Sequence, residues 1–265
     1  MTASVFFAPE VLVDGHRTPL RQVTTSSSTL ILDGDEGRHA ARVQRIRPGE
    51  RLDLVDGQGV RVVSEAVGTN QDGLEVRAMR AIQEMPRSPE LILVQALAKG
   101  GRDEQAIETA TELGVDRVIP WQADRSIVKW SPQKVKRGVE RWQKVLTAAM
   151  KQSRRAFLPG IGDPVSSKQL TAEVGSWTES GDLVLVCHEE ATVPLSQVLA
   201  STASNGVAPA RVVLLVGPEG GVSPEEIDGF KEAGATPVIL GPEVLRSSTA
   251  GPAALVAANL HLGRW

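Results

Sequence analysis

Apolar and polar positions change rhythm near residue 85. Before it, short alternating stretches are broken by turn residues: Arg51-Leu-Asp-Leu-Val-Asp alternates, Gly57-Gln-Gly59 turns, and Val60-Arg-Val-Val resumes. Leu74-Glu-Val-Arg-Ala-Met alternates again after Asp72-Gly73. These are hairpin signals. With one helix expected over Glu36 to Ile46, residues 1–84 read as a small β-barrel-like module. Residues 85–90, rich in Pro and Ser, read as a linker.

From 91 to 265, unbroken apolar runs alternate with helical patterns. Strands are expected at Leu91 to Leu97, Val115 to Pro120 and Leu183 to Val186. Helices are expected at Arg102 to Leu113, Pro132 to Met150 and Leu195 to Ala200, followed by a small-residue loop over Ser201 to Ala208. Alternation of this kind predicts an α/β domain with a largely parallel sheet.

Within that domain, Leu214-Leu215-Val216 runs into Gly217-Pro218-Glu219-Gly220-Gly221, and Ser223-Pro224-Glu225-Glu226 opens a helix. Ser223 is suited to cap that helix and Pro224 to its first turn. The pattern repeats downstream. Pro237 to Leu240 reads as a strand, Gly241-Pro242-Glu243 as the turn, and Ser247-Ser248-Thr249 as a helix start. Two strand–turn–helix corners in one block suggest one composite ligand pocket. Neither a Walker lysine nor a G-x-G-x-x-G fingerprint is present. Glu219 in the turn disfavours a phosphate and favours a neutral or cationic ligand. Arg246 sits at a helix start, an awkward place for a cation. Either it forms a salt bridge with Glu243 or Glu219, or it binds RNA phosphate or stabilises developing charge.

Composition adds bounds. The 265 residues suit two domains. Aromatic residues are only 3%, so the cores must be aliphatic. A single cysteine, Cys187, excludes an intrachain disulfide, and four scattered histidines show no metal spacing. With no apolar run long enough to span a bilayer and no signal-peptide pattern, the chain reads as cytoplasmic.

The net charge of −3 hides an asymmetry: residues 99–155 hold 13 basic and 7 acidic groups, residues 156–265 hold 5 and 12. A basic block in an acidic chain suits either a solvated helix surface or a polyanion-binding face. Arg38, Arg42 and Arg45 fall at helical spacing on the expected Glu36–Ile46 helix, with His39 beside them. One face of arginines suits RNA backbone, or plain solvent. Arg154 and Arg155, just past the long helix, are a further phosphate-contact candidate.

Taken together, Gly217-Pro-Glu-Gly-Gly, Leu240-Gly-Pro-Glu-Val-Leu-Arg, Lys99-Gly-Gly-Arg102, Glu112-Leu-Gly-Val115, Glu140-Arg-Trp and Gln152-Ser-x-Arg155 resemble the ribosomal RNA small-subunit methyltransferase E family. The resemblance runs over nearly the whole chain. It implies a PUA-like RNA-binding domain and a C-terminal SPOUT α/β trefoil-knot domain that binds S-adenosylmethionine. It also implies a homodimer, a substrate of small-subunit rRNA or the assembled subunit, and methylation of a uridine N3. Cofactor contacts are implied for Leu215, Gly217, Pro218, Glu219, Gly220, Gly221, Leu240, Gly241, Leu245, Ser247 and Ser248, and RNA contacts for Arg38, His39, Arg42, Arg45, Lys99, Arg102, Arg154 and Arg155. Arg246 is the catalytic candidate, as a stabiliser of charge developing on uracil. The family's usual Leu-Arg-Thr-Glu-Thr-Ala is here Leu245-Arg-Ser-Ser-Thr-Ala250, so Ser248 replaces a carboxylate. A knotted enzyme acting on ribose 2′-OH or a tRNA base, and a non-catalytic RNA-binding assembly factor, are the competing readings.

Overall fold

The computed structural model describes residues 3–25, 29–204 and 209–265. The chain divides into two units, one of residues 1–86 with 150–158, the other of residues 87–149 with 159–265.

The first unit is a seven-stranded sheet. Its strands are β1 (Ser4–Phe7), β2 (Glu10–Val13), β3 (His16–Pro19), β4 (Thr29–Leu32), β5 (Arg51–Val55), β6 (Val60–Thr69) and β7 (Leu74–Gln83). The order is β1-β5-β6-β7-β4-β2-β3, with β1 parallel to β5 and the other pairs antiparallel. Alternation in the sequence becomes alternation of burial: along β6, Val60, Val62, Ser64 and Ala66 point inward. They meet Phe6, Leu30, Leu52, Leu54, Leu74 and Val76 in an almost wholly aliphatic core. The turn from β5 to β6 needs its glycines. Gly59 has φ of +100°, and a Cβ there would lie 2.5 Å from the Phe157 ring.

The helix expected over Glu36 to Ile46 is not continuous. An α-helix, α1 (Gly34–Arg38), passes into a π-turn over His39–Val43. The turn closes with Ile46 N–H donating to the Ala40 carbonyl at 3.1 Å, and Arg45 takes φ of +52°. The widened turn carries Arg42 off the α-helical register, and Arg45 lies beyond the helix. The shared arginine face argued from α-helical spacing therefore does not form.

The second unit holds β8 (Glu90–Ala96), α2 (Arg102–Glu112), β9 (Arg117–Gln122), α3 (Pro132–Gln152), β10 (Gly160–Ile161), β11 (Val165–Ser166), α4 (Ser167–Glu179), β12 (Leu183–Cys187), α5 (Leu195–Ser204), β13 (Arg211–Val216), α6 (Pro224–Glu232), β14 (Thr236–Val238) and α7 (Ser247–His261). The last residues of α3, from Met150, pack with the first unit. The strand order is β10-β9-β8-β13-β12-β14, with β11 also on β9, and every pair is parallel. Strands buried on both faces read as continuous apolar runs, which is why β8, β12 and β13 stand out in the sequence. Of the loop expected over Ser201 to Ala208, residues 201–204 continue α5, and residues 205–208 lie outside the described residues. The expected strand to Leu240 stops at Val238.

Two features fix the helices against this sheet. Ser223 and Glu226 form a capping box at the start of α6, with Pro224 in the first turn. Gly251 lets α7 approach β8 closely, since a Cβ there would stand 2.9 Å from Leu93 Cδ1. No helix among the described residues is long and apolar enough to cross a membrane.

Candidate functional site

The sheet order reverses direction between β8 and β13. In parallel sheets, ligand crevices form at the carboxyl ends of strands beside such a switch. The two predicted corners leave from β13 and from β14, so both open at this end.

The first corner is a turn closed by Gly221 N–H donating to the Pro218 carbonyl at 3.0 Å. Gly221 has φ of +73°, a conformation that favours glycine. Glu219 does not point into open space. Its Oε1 accepts from Lys99 N–H at 3.1 Å and from the Arg102 guanidinium at 3.3 Å, and its Oε2 is buried without a hydrogen-bond partner among the described residues. Two successive glycines with positive φ, Gly100 and Gly101, bend the chain so that Lys99 can donate while Arg102 begins α2. Glu219 Oε1 thus ties the first corner to the Lys99–Arg102 turn, while Oε2 makes no hydrogen bond among the described residues. The Lys99 residue is exposed.

The second corner is tied to the first by Ser247. Its hydroxyl donates to the Gly217 carbonyl at 2.9 Å and accepts from Gln95 Nε2 at 2.9 Å. Ser248 is buried at the start of α7 but makes no side-chain hydrogen bond among the described residues. The helix is capped by backbone alone: the Arg246 carbonyl accepts from Thr249 and Ala250. The role of holding the loop therefore falls to Ser247, not to Ser248. Ser247→Ala would leave the Gly217 carbonyl without this donor and the buried Gln95 amide with only its longer bond to the Ala96 carbonyl, at 3.3 Å. The expected cost is about 1–3 kcal/mol in chemical denaturation.

Beside these corners lies a cleft lined by Cys187, His188, Glu189, the 239–245 segment and Ala250. Leu240, Gly241 and Leu245 line it, whereas Leu215 is core and residues 217–221 lie outside its lining. The second corner walls this cleft, and the first lies beside it, tied on through Ser247. The cleft is shallow, about 80 Å³, against roughly 300 Å³ at the low end of ligand pockets. Its least packed wall is the exposed stretch Pro242 to Leu245. Its chemistry suits an adenosine carrying a cationic tail. Leu240 and Leu245 offer apolar surface, Gly241 offers backbone without a side chain, and Glu189 and Glu243 supply negative charge.

Cys187, His188 and Glu189 line the cleft although no local sequence pattern marks them. They arrive because β12 lies beside β14 in the sheet, with Cys187 opposite Val238. Although Cys187 as a residue keeps some exposure, burial of its thiol pushes the pKa up to about 12. It should resist alkylation in the native protein at about pH 8 and react on unfolding. Fast native labelling by iodoacetamide would contradict this burial.

In the first unit, Arg38 pairs with Asp35, and Arg42 and Arg45 are exposed. His39 is half-buried, edge-on to Phe6 at 6.5 Å and 3.2 Å from Gln44 Nε2. Arg154 is exposed with φ of +58°, and Arg155 N–H closes the end of α3 on the Met150 carbonyl.

Known proteins share this architecture and sequence. A family model described as an RNA methyltransferase domain matches residues 86–259, and one described as an RNA methyltransferase PUA domain matches residues 32–77. The ribosomal RNA small subunit methyltransferase E of Mycobacterium bovis is 43% identical, over 91% of this chain and 89% of its own length. That of Bacillus subtilis is 30% identical, over 89% and 92%. A crystal structure of the Neisseria gonorrhoeae enzyme of the same name, bound to S-adenosyl methionine, superposes with a TM-score of 0.80 at 23% identity, covering 98% of each chain. The fold is the expected α/β class, a parallel-sheet RNA methyltransferase domain with a PUA-like β module. Matched along both units, the chain belongs to the ribosomal RNA small subunit methyltransferase E family.

Proposed function

We propose that this chain methylates N3 of a specific uridine in small-subunit (16S) ribosomal RNA, using S-adenosylmethionine. The PUA-like unit holds RNA, the SPOUT unit holds the cofactor, and the working form is a cytoplasmic homodimer. The observation that carries the reading is the cleft at the carboxyl ends of β12 and β14, with Gly241 and two leucines on one side and Glu189 on another. The Neisseria relative, solved with S-adenosyl methionine, supports the same cofactor here.

S-adenosylmethionine, when bound, supplies an electrophilic methyl group on a sulfonium centre. The chain's own residues do the rest. Backbone of the 239–245 segment orients the adenosine, and the Glu189 and Glu243 carboxylates favour a positive tail. Ser247, by joining Gly217 to Gln95, keeps the neighbouring corner in place. N3 carries a proton and is blocked in a base pair, so the target uridine must be unpaired or flipped. As that proton passes to solvent water at the open mouth of the cleft, negative charge grows on the uracil oxygens, and the exposed Arg246 at the second corner stabilises it. Lys99 and the exposed arginines 42, 45 and 154 contact phosphate.

The test is nucleoside mass spectrometry of rRNA from a strain lacking this protein, before and after complementation. A 3-methyluridine that disappears and returns is the expected result. Loss of a ribose 2′-O-methyl group, or of a tRNA modification alone, would overturn the reading. An unchanged nucleoside profile would leave a non-catalytic assembly role as the better account.

A further inference from the structure

A second cleft lies wholly within the first unit. It has a volume of about 320 Å³ and is lined by Ala3, Ser4, Val5, Phe6, His39, Gln44, Lys151, Gln152 and Arg154. That is large enough to enclose a small planar ligand. Its walls come from three places: the β1 strand, the π-turn, and the end of α3.

Each wall offers a different chemistry. Among the described residues β1 pairs only with β5, so its other side is a sheet edge with unpaired backbone groups. Phe7 N–H already points to that side, donating to Glu36 Oε2 at 3.3 Å. Backbone groups alternate sides along a strand, so Val5 presents its N–H and carbonyl the same way, into the cleft. The π-turn contributes the His39 imidazole and the Gln44 side-chain amide. The end of α3 contributes two cations. Lys151 Nζ is 2.6 Å from Glu36 Oε1, so its charge is partly neutralised. The Arg154 guanidinium has no hydrogen bond or ion pair among the described residues, and the Arg154 carbonyl accepts from Arg61 at 2.9 Å. That bond anchors the residue while leaving its side chain free.

We propose that this cleft binds one unpaired nucleotide of the RNA. The Val5 backbone and the Gln44 amide read the edge of the base, His39 packs on its face, and Arg154 with Lys151 holds its phosphate. A strand edge and a primary amide both present paired donors and acceptors, which match a nucleobase edge. A ring beside them suits stacking, the usual source of affinity for single-stranded nucleic acid. A base already in a duplex has that edge occupied and cannot enter. The cleft rests on the RNA-binding reading above and adds to it a site, away from the methyl-transfer cleft, that selects single-stranded RNA.

The test uses the full chain and a short fluorescent RNA, single-stranded or annealed to its complement. Wild-type protein should bind the single strand in preference to the duplex. Gln44→Ala and His39→Ala should each weaken single-strand binding about tenfold. Arg154→Gly, which suits the positive φ, should also weaken it and lower the salt dependence of log K by about one phosphate contact. S-adenosylmethionine affinity should match wild type in all three, and thermal unfolding should match it for Gln44→Ala and Arg154→Gly, at exposed positions, whereas His39→Ala also loses the ring contact with Phe6. If all three variants fold and bind RNA as wild type does, the nucleotide site is overturned while methylation of rRNA still stands. Equal wild-type affinity for duplex and single strand would also overturn it. A wild-type protein that neither binds nor methylates rRNA would instead overturn the underlying function.

Discussion

Replacing Arg246 by alanine is expected to lower the rate of methyl transfer about 10²- to 10³-fold, the usual loss when one charge-stabilising donor is removed. S-adenosylmethionine affinity should change little. The residue is exposed, and neither of the salt bridges considered from the sequence, to Glu243 or to Glu219, is present among the described residues. Glu219 is instead taken by Arg102. Arg246 precedes α7 and contributes to folding only through its carbonyl, which accepts from Thr249 and Ala250 and survives substitution. Stability should therefore stay within about 0.5 kcal/mol, as for an ordinary surface change. Arg246→Lys keeps a charge but loses the planar fork, so it should recover part of the rate. Single-turnover assays with saturating cofactor separate the chemical step from binding. A rate for Arg246→Ala within threefold of wild type would remove Arg246 from the chemistry.

The parts of this site that were legible in the sequence are local. Ser223, Pro224 and Glu226 announce the start of α6 because a capping box is a four-residue motif, and the same motif at Ser166 and Gln169 starts α4, a helix absent from the expected elements. That helix buries only Ser167, Leu170 and Val174, too sparse an apolar stripe to stand out. The parallel strands were legible because burial on both faces leaves runs such as Leu91 to Val94. What was hidden depends on contacts between distant residues. Glu219 finds Lys99 and Arg102 more than a hundred positions away, which converts an expected ligand carboxylate into a tie between two turns. Glu189 reaches the cleft through strand order, which no local pattern encodes. The π-turn at His39–Val43 uses residue types that an α-helix would also accept, so no local pattern marks it. That displacement removes the arginine face and places His39 and Gln44 beside β1 instead.

The largest stability effect is expected at the other end of the chain. Arg264 is the penultimate residue, yet its side chain is fully buried. Its guanidinium donates to Asp116 Oδ2 at 2.9 Å, to the Gly114 carbonyl at 3.0 Å, to Asn259 Oδ1 at 3.1 Å and to the Pro89 carbonyl. Asp116 also accepts from Leu91 N–H at 2.9 Å, so this one side chain joins the start of β8, the loop after α2 and the end of α7. Burial lowers the pKa of Arg264, and Asp116 opposes that shift. Arg264→Ala would take from Asp116 its charged partner, leaving it the Leu91 N–H, and would leave three other acceptors short of a donor. Breaking a buried pair in this way costs about 3–5 kcal/mol. For a domain of this size the melting temperature should fall by roughly 6–20 °C. Arg264→Met, which restores volume without donors, separates the two contributions. If lost packing dominated, methionine would recover most of the stability. Because the stranded acceptors dominate, it should recover less than half. A loss below about 1 kcal/mol in Arg264→Ala would mean the C-terminal residues do not lock this unit.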